Sequence, residues 1–276
     1  MFLKPVDKFL IALVTVIFLG GSFLAWFLFG EIVILPMMAV MLGLLGAFII
    51  EAFRRLEHKQ LEMQKEAAVN YRQTEALFNL HSNLGLRRPL PQMKGFTVFP
   101  DFAALLVGLI KETRPKLVVE LGSGVSTVIA AYCLEELGSG KVLSMEHETK
   151  YAAVTRRHLR THGLERYAKV IHAPLEELNL GGRSWKWYDK SKFRGINNID
   201  MLVVDGPPGP LQKLSRYPAL PVLAAKMAPG AVVVLEDAKR KDERQIVKMW
   251  RTEFKDIGYE FVDTHKGAAV LRRPAK

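Results

Sequence analysis

Cysteine is almost missing from this chain. The single residue, Cys133, excludes an intrachain disulfide and any paired-cysteine zinc site, and it fits a reducing compartment. It lies in a helical stretch with few breakers, which reads as a buried structural thiol. Acidic residues are also short, 28 against 39 Lys and Arg, for a net charge of +11. Charge of either sign is scarce at the start: the first 50 residues carry only Lys4, Asp7, Lys8 and Glu31, which cancel. The basic excess therefore lies downstream, where it suits anionic lipid headgroups or an anionic substrate. No helix-turn-helix, zinc-finger or RRM pattern accompanies it, so nucleic acid is not the expected partner. No internal repeat or low-complexity tract stands out.

What the N-terminus has instead is apolar length. Residues 9–29 contain no charge, and after Gly30-Glu31 a second uncharged run covers 32–50. A bilayer core takes roughly 20 apolar residues per helix, so each run is long enough to span. The first run is too long for a signal peptide and lacks a small-residue cleavage pattern. The short Gly-Glu link predicts a transmembrane helical hairpin over 1–53, with both ends on one side. Lys4 and Lys8 precede it, and Arg54, Arg55, His58 and Lys59 follow, so the positive-inside rule places both termini and everything downstream in the cytosol. Pro36 and the glycines at 20, 21, 43 and 46 suit close helix packing or are ordinary membrane glycines. Residues 54–84 read as a charged helical stalk. Leu56, Met63 and Leu77 keep a heptad that Asn70 interrupts, which allows a homo-oligomer through the membrane or stalk helices.

The remainder, 85–276, alternates strand and helix. Two prolines and Gly95 break the connecting stretch 85–100. A helix follows over 102–112, capped by Asp101 or a residue just before it, and it ends ahead of Pro115. Strands are predicted at 117–120, 141–145, 168–172, 200–204 and 231–235, with helices at 125–136, 150–161, 217–227 and 243–254. Segments 259–264 and 268–272 form a closing antiparallel hairpin. Repeated strand–helix units imply a mostly parallel sheet covered on both faces.

Within this frame Val119-Glu-Leu-Gly-Ser-Gly-Val-Ser-Thr127 is strand, glycine turn and helix, the geometry that lets backbone N–H groups approach a nucleotide-like ligand. An acid, Glu120, ends the strand, and Ser126 stands where dinucleotide folds carry a third glycine. Three further motifs sit at strand ends: Ser144-Met-Glu-His147, Val203-Val-Asp-Gly-Pro-Pro-Gly209 and Val233-Val-Leu-Glu-Asp237. Glu146 lies about 20 residues past the turn, where a carboxylate accepts from ribose hydroxyls in SAM and NAD sites alike. With these four motifs the stretch from about 95 to 273 resembles the class I S-adenosylmethionine (SAM) methyltransferases, in particular the branch with Asp-Gly-Pro-Pro-Gly after the fourth strand.

The resemblance implies a Rossmann-like α/β fold with seven strands and a C-terminal antiparallel hairpin, behind the membrane hairpin. It also implies roles. Gly122, Ser123 and Gly124, with Ser126 and Thr127 opening the helix, would pass under the amino-acid half of SAM, and Glu120 would meet its ammonium group. Glu146 would hold the ribose, with His147 a neighbour or merely exposed. Ala173 and Pro174 would border the adenine or form a plain loop. Asp205 would accept from the ammonium group, act as a general base or bind a metal. Asp237 is the second catalytic candidate, with His265 an outsider. Metal-dependent members hold a divalent ion with these two carboxylates and an adjacent Asn; here that position is Ala238, which leaves two hard donors and the metal undecided. The stretch 181–188, a loop in this reading, offers Trp185, Trp187 and Tyr188 for a sugar ring or the cofactor, or as a cover for the sheet edge. Arg183, Lys186, Lys213 and Arg216 are placed at the crevice mouth, for an anionic substrate or for solvent.

The function expected is a membrane-anchored, cytosol-facing, SAM-dependent methyltransferase acting on oxygen of a glycan, lipid-linked or other membrane-associated acceptor. Two other readings stand beside it. One is a nicotinamide-dependent oxidoreductase on a similar fold; the other is a non-catalytic membrane scaffold with a relic SAM-binding domain.

Overall fold

The computed structural model describes residues 5–93 and 98–275; Lys4 and Gly95, given roles above, lie outside the described residues. The chain divides into two compact units, Met1–Ala68 and Val69–Lys276.

The first unit is helical. Helix α1 spans Pro5–Phe29, Gly30 turns the chain at φ 70°, and after a short 3-10 turn helix α2 runs Ile34–Asn83. Pro36 falls in the first turn of α2, where its missing N–H is not needed. The segment read as a stalk is the continuation of this one helix. Side chains such as Phe23, Leu35, Leu44, Phe48 and Phe53 are exposed, so the apolar surface runs around the helices and is not folded inward. One helix, Glu31–Asn83 with its leading turn, is long and apolar enough to cross a membrane; Leu13–Phe29 is shorter. A Cβ added at Gly20, Gly21, Gly43 or Gly46 would meet nothing within 4 Å. The glycines therefore mark no close helix contact among the described residues, contrary to one expectation.

The second unit is an α/β sandwich. Its elements are α3 Pro100–Thr113, β1 Leu117–Leu121, α4 Val125–Glu136, β2 Lys141–Glu146, α5 Thr149–His162 and β3 Ala168–His172. Then come β4 Leu175–Leu180, β5 Arg183–Tyr188, β6 Ile199–Val204, α6 Ala219–Leu223, β7 Met227–Glu236, α7 Lys241–Glu253, β8 Gly258–Val262 and β9 Ala268–Arg272. Seven strands form one sheet in the order β3-β2-β1-β6-β7-β9-β8. The first five run parallel, β9 runs antiparallel to β7, and β8 pairs antiparallel with β9 and so points the same way as the first five. The fold is thus the mostly parallel, Rossmann-like seven-stranded sheet that was expected.

Alternation along each strand feeds two cores. Val118, Val142, Met201 and Val203 face one layer with Phe102, Leu106, Ile129, Cys133 and Leu159. Val119, Leu121, Leu202 and Val204 face the other with Leu220, Leu223, Ile246 and Trp250. The last turns of α2 join the first of these layers through Leu80.

Four local expectations are corrected. Asp101 does not cap α3: Phe99 holds that position, Pro100 supplies the first turn, and the Asp101 carboxylate accepts from the backbone N–H of Phe102 and of His265. The helix expected over 217–227 is only one turn of α6 and a 3-10 turn. Pro229-Gly230, read as its stop, lies inside β7. There the pairing with β6 shifts register between Ile199 and Met201, and Gly230 adopts φ 73°. A bulge of this kind is how a strand accommodates proline. Finally, 181–188 is no loop: β4 and β5 make an antiparallel hairpin, in a sheet of their own, around Gly181-Gly182.

Candidate active site

Strand order reverses between β1 and β6, and the expected site residues gather at the carboxyl ends of the strands there, where open α/β sheets bind ligands. Gly122 leaves β1 at φ 94°, a conformation that glycine adopts without strain, and a Cβ there would stand 3.3 Å from the Gly206 nitrogen. Gly124 is different. Its φ of 177° is open to any residue, and an added Cβ would meet nothing within 4 Å. Glycine at 124 thus leaves free space above the turn at the head of α4, the room a ligand needs to reach backbone N–H groups. That observation fits a SAM-type ligand.

Beneath the turn Glu120 is buried. Thr127 donates to its carboxylate from 2.5 Å, and the Thr127 oxygen in turn accepts from the Gly124 N–H at 3.0 Å. Burial pushes the Glu120 carboxyl up to about 7, although hydrogen bonds from Ser126, Ser144 and Thr127 oppose the shift. Thr127 and Ser126 are themselves buried, so they brace the acid and the helix start.

Glu146, at the end of β2, is tied to the same turn. One carboxylate oxygen accepts from the Ser123 N–H at 2.9 Å and the Ser123 hydroxyl at 3.1 Å. The other accepts from the Glu148 N–H at 3.0 Å and lies 3.0 Å from Nδ1 of His147. Burial works against the charge, but these donors win and hold Glu146 below the usual carboxylate range, while His147 is raised by its carboxylate partner. Ala173 is buried, with its N–H on the Glu146 carbonyl, and Pro174 is half-buried beside it.

The far side of the crevice is organised by a residue whose role the sequence did not reveal. Arg216, expected at the crevice mouth, is 4% exposed. Its Nη2 lies 3.0 Å from Asp205 and 2.8 Å from Asp237, and its Nη1 donates to the Glu236 carbonyl at 2.9 Å. Glu243 stands 3.8 Å away. Asp237, in the left-handed region at φ 63°, also holds Arg240 at 2.9 Å. Asp237 is sealed by these partners, whereas the Asp205 side chain keeps 31% of its surface open. Lys266, from the β8–β9 turn, approaches Glu236 at 3.8 Å and Asp237 at 3.9 Å. His265 turns elsewhere and lies tilted against Phe99, with ring centroids 4.4 Å apart. With Ala238 adding no donor and a guanidinium already between the two carboxylates, these residues do not fit a divalent ion. Among the described residues no group of three or more potential ligands converges elsewhere.

The hairpin β4–β5 supplies the wall. Trp187 stacks on Phe193 at 5.3 Å and Trp185 lies against Tyr217 at 5.0 Å, so both indoles belong to the core. Tyr188 is buried, edge-on to His147, and its hydroxyl abuts Gly206 without a hydrogen-bond partner. Burial raises its pKa well above 10, so it stays protonated. Arg183, Lys186 and Lys213 are exposed on the outer rim, with Arg183 stacked 4.1 Å over Trp185.

Residues 119–238 match the sequence profile of a family described as a methyltransferase domain. No curated protein matches the chain. Among solved structures it is similar to a putative O-methyltransferase from Klebsiella pneumoniae, with 18% identity over 76% of this chain and 97% of that one, at a TM-score of 0.51. It is similar also to the cofactor-bound protein Rv0187 from MTB, with 16% identity over 76% and 91%, again at 0.51. An O-methyltransferase from Bacillus cereus in complex with SAH gives 15% identity over 73% and 90% at 0.49. The α/β unit therefore has the Rossmann-like methyltransferase fold.

Proposed function

We propose that this chain is a SAM-dependent methyltransferase, held on a membrane by its apolar N-terminal helices and acting on oxygen of a glycan, lipid-linked or other membrane-associated acceptor. The observation that carries the reading is the free space over Gly124, after the central strand β1 whose two neighbours end at Glu146 and beside Asp205, inside a segment that matches a methyltransferase domain. When bound, SAM supplies an electrophilic methyl group on a sulfonium centre. The chain's part is alignment, which in such displacements accounts for much of the rate. Ser123 and Gly124 carry the backbone under the amino-acid half, Glu120 provides the countercharge for an ammonium group, and Glu146 with His147 meets the ribose. Ala173 and Pro174 border the base. Asp205, the open carboxylate, takes the proton that the acceptor hydroxyl sheds, and Asp237 holds Arg216.

The exposed apolar surface of α1 and of the first half of α2 supports insertion into lipid, and Arg54, Arg55, His58 and Lys59 just beyond it support a cytosolic catalytic unit. The basic rim of Arg183, Lys186 and Lys213 suits an acceptor with anionic groups. The decisive test is calorimetric titration of the full chain in detergent with SAM, S-adenosylhomocysteine (SAH) and NAD. Saturable SAM and SAH binding, weakened in Glu146→Ala, is expected. Binding of NAD alone would move the chain to the oxidoreductases.

A further inference from the structure

Arg216 stands where two strand-end carboxylates would otherwise converge on a cation. A single nitrogen, Nη2, is 3.0 Å from Asp205 and 2.8 Å from Asp237, so it fills the cleft between them. A divalent ion would have to sit closer still to both oxygens, at 2.0–2.6 Å, and to find further oxygen donors. The guanidinium is anchored from behind by the Glu236 carbonyl and by Glu243. The acids here also have cations of their own. Asp205, Asp237 and Glu243 face Arg216, Arg240 and Lys266, and burial pushes Glu236 well above the usual carboxylate range. A doubly charged ion added to this pocket would be uncompensated in a region of low dielectric, where unpaired charge is costly.

We propose that the guanidinium of Arg216 is the resident cation of this crevice: it holds Asp205 and Asp237 in place of a divalent metal and keeps the open face of Asp205 turned toward the acceptor. Arg216 is then a positioning residue, acting through Asp205. What the carboxylates serve rests on the methyl-transfer reading; which cation they hold does not.

The test uses the full chain in detergent, stripped with chelator, with free Mn²⁺ followed by electron paramagnetic resonance and SAH binding followed in the same sample by calorimetry. The wild type is expected to bind no Mn²⁺ at millimolar concentration and to bind SAH equally well with and without EDTA. Arg216→Ala is expected to gain one Mn²⁺ per chain, and Arg216→Lys, which keeps the charge, to gain none; a merely structural role would give neither variant a metal site. One Mn²⁺ bound per wild-type chain and lost in Asp237→Asn overturns the proposal, as does a folded Arg216→Ala chain without a Mn²⁺ site. A wild type that binds neither Mn²⁺ nor SAH leaves Arg216 as the resident cation and removes the methyl-transfer reading.

Discussion

Ser123 donates twice to Glu146, from its backbone N–H at 2.9 Å and from its hydroxyl at 3.1 Å. The glycine turn after β1 and the acid at the end of β2 are therefore one rigid piece before any ligand arrives. Pre-organisation of this kind lowers the cost of ordering a site on binding.

The two ends of that link differ in what their removal leaves behind. Ser123→Ala loses two side-chain hydrogen bonds, to Glu146 and with the Thr155 hydroxyl, at about 1–2 kcal/mol, and keeps the backbone one. Glu146→Ala orphans the N–H groups of Ser123 and Glu148 and is expected to cost about 2–4 kcal/mol, with a larger loss of SAH affinity. Thermal unfolding and calorimetry of both variants check the order; equal effects would mean the acid does nothing beyond the serine hydroxyl.

Glu120 should give the fold a pH dependence of unusual sign for a carboxylate. Its folded pKa is about 7 against an ordinary 4.5, so the native state holds the proton more tightly than the unfolded chain. Stability is then greatest below the unfolded value and falls as pH rises through about 7, by up to about 3 kcal/mol. Glu120→Gln should flatten this fall. A cationic ligand amine favours the ionised form, so SAH binding should tighten as pH rises through 7 in the wild type and not in Glu120→Gln.

Two glycines at the crevice make opposite predictions. At Gly124 nothing blocks a side chain, so Gly124→Val should cost about 1 kcal/mol or less as a helix-cap change and yet abolish SAH binding. At Gly206 a Cβ would run into the Tyr188 hydroxyl, so Gly206→Ala should destabilise by about 1–3 kcal/mol. Adding Tyr188→Phe, which removes that oxygen, should recover part of the loss. Simple additivity of the two changes would argue against the contact.

Membrane attachment is checked by fractionation. If the proposed anchoring holds, the full chain should stay with the membrane pellet through high salt and alkaline carbonate, because exposed side chains such as Phe23, Leu44 and Phe48 would be solvated by lipid, an attraction that salt does not screen. Release by salt alone would reduce the attachment to electrostatics.

The sheet was legible in the sequence because each strand is short, apolar and followed by a turn or an acid: 117–120, 141–145 and 168–172 fall on β1, β2 and β3 within a residue. The stretch 181–188, which holds β5, reads as a loop because Arg183 and Lys186 dilute its apolar residues, and Glu176 and Glu177 hide its partner β4, for which no strand is predicted. The Gly181-Gly182 pair between two runs of matched length was the available signal. Arg216 was legible only as a basic residue near the crevice mouth. A lone arginine reads as solvated, and what buries this one is acids at 205, 236 and 237, brought together only when β6 pairs with β7. The same pairing decided that Asp237 would be sealed and Asp205 left open.

Cys133 lies on the buried face of α4, and burial pushes its thiol up to about 12. Thiolate is the reactive form, so the native chain should be silent to maleimides and disulfide reagents at neutral pH. Unfolding releases one reactive sulfur per chain. The protein thus carries its own single-site chemical clock: the rate at which it takes up a thiol label in detergent or in vesicles counts openings of the α/β unit, and a cysteine placed anywhere on the surface would be the only site labelled in the folded state.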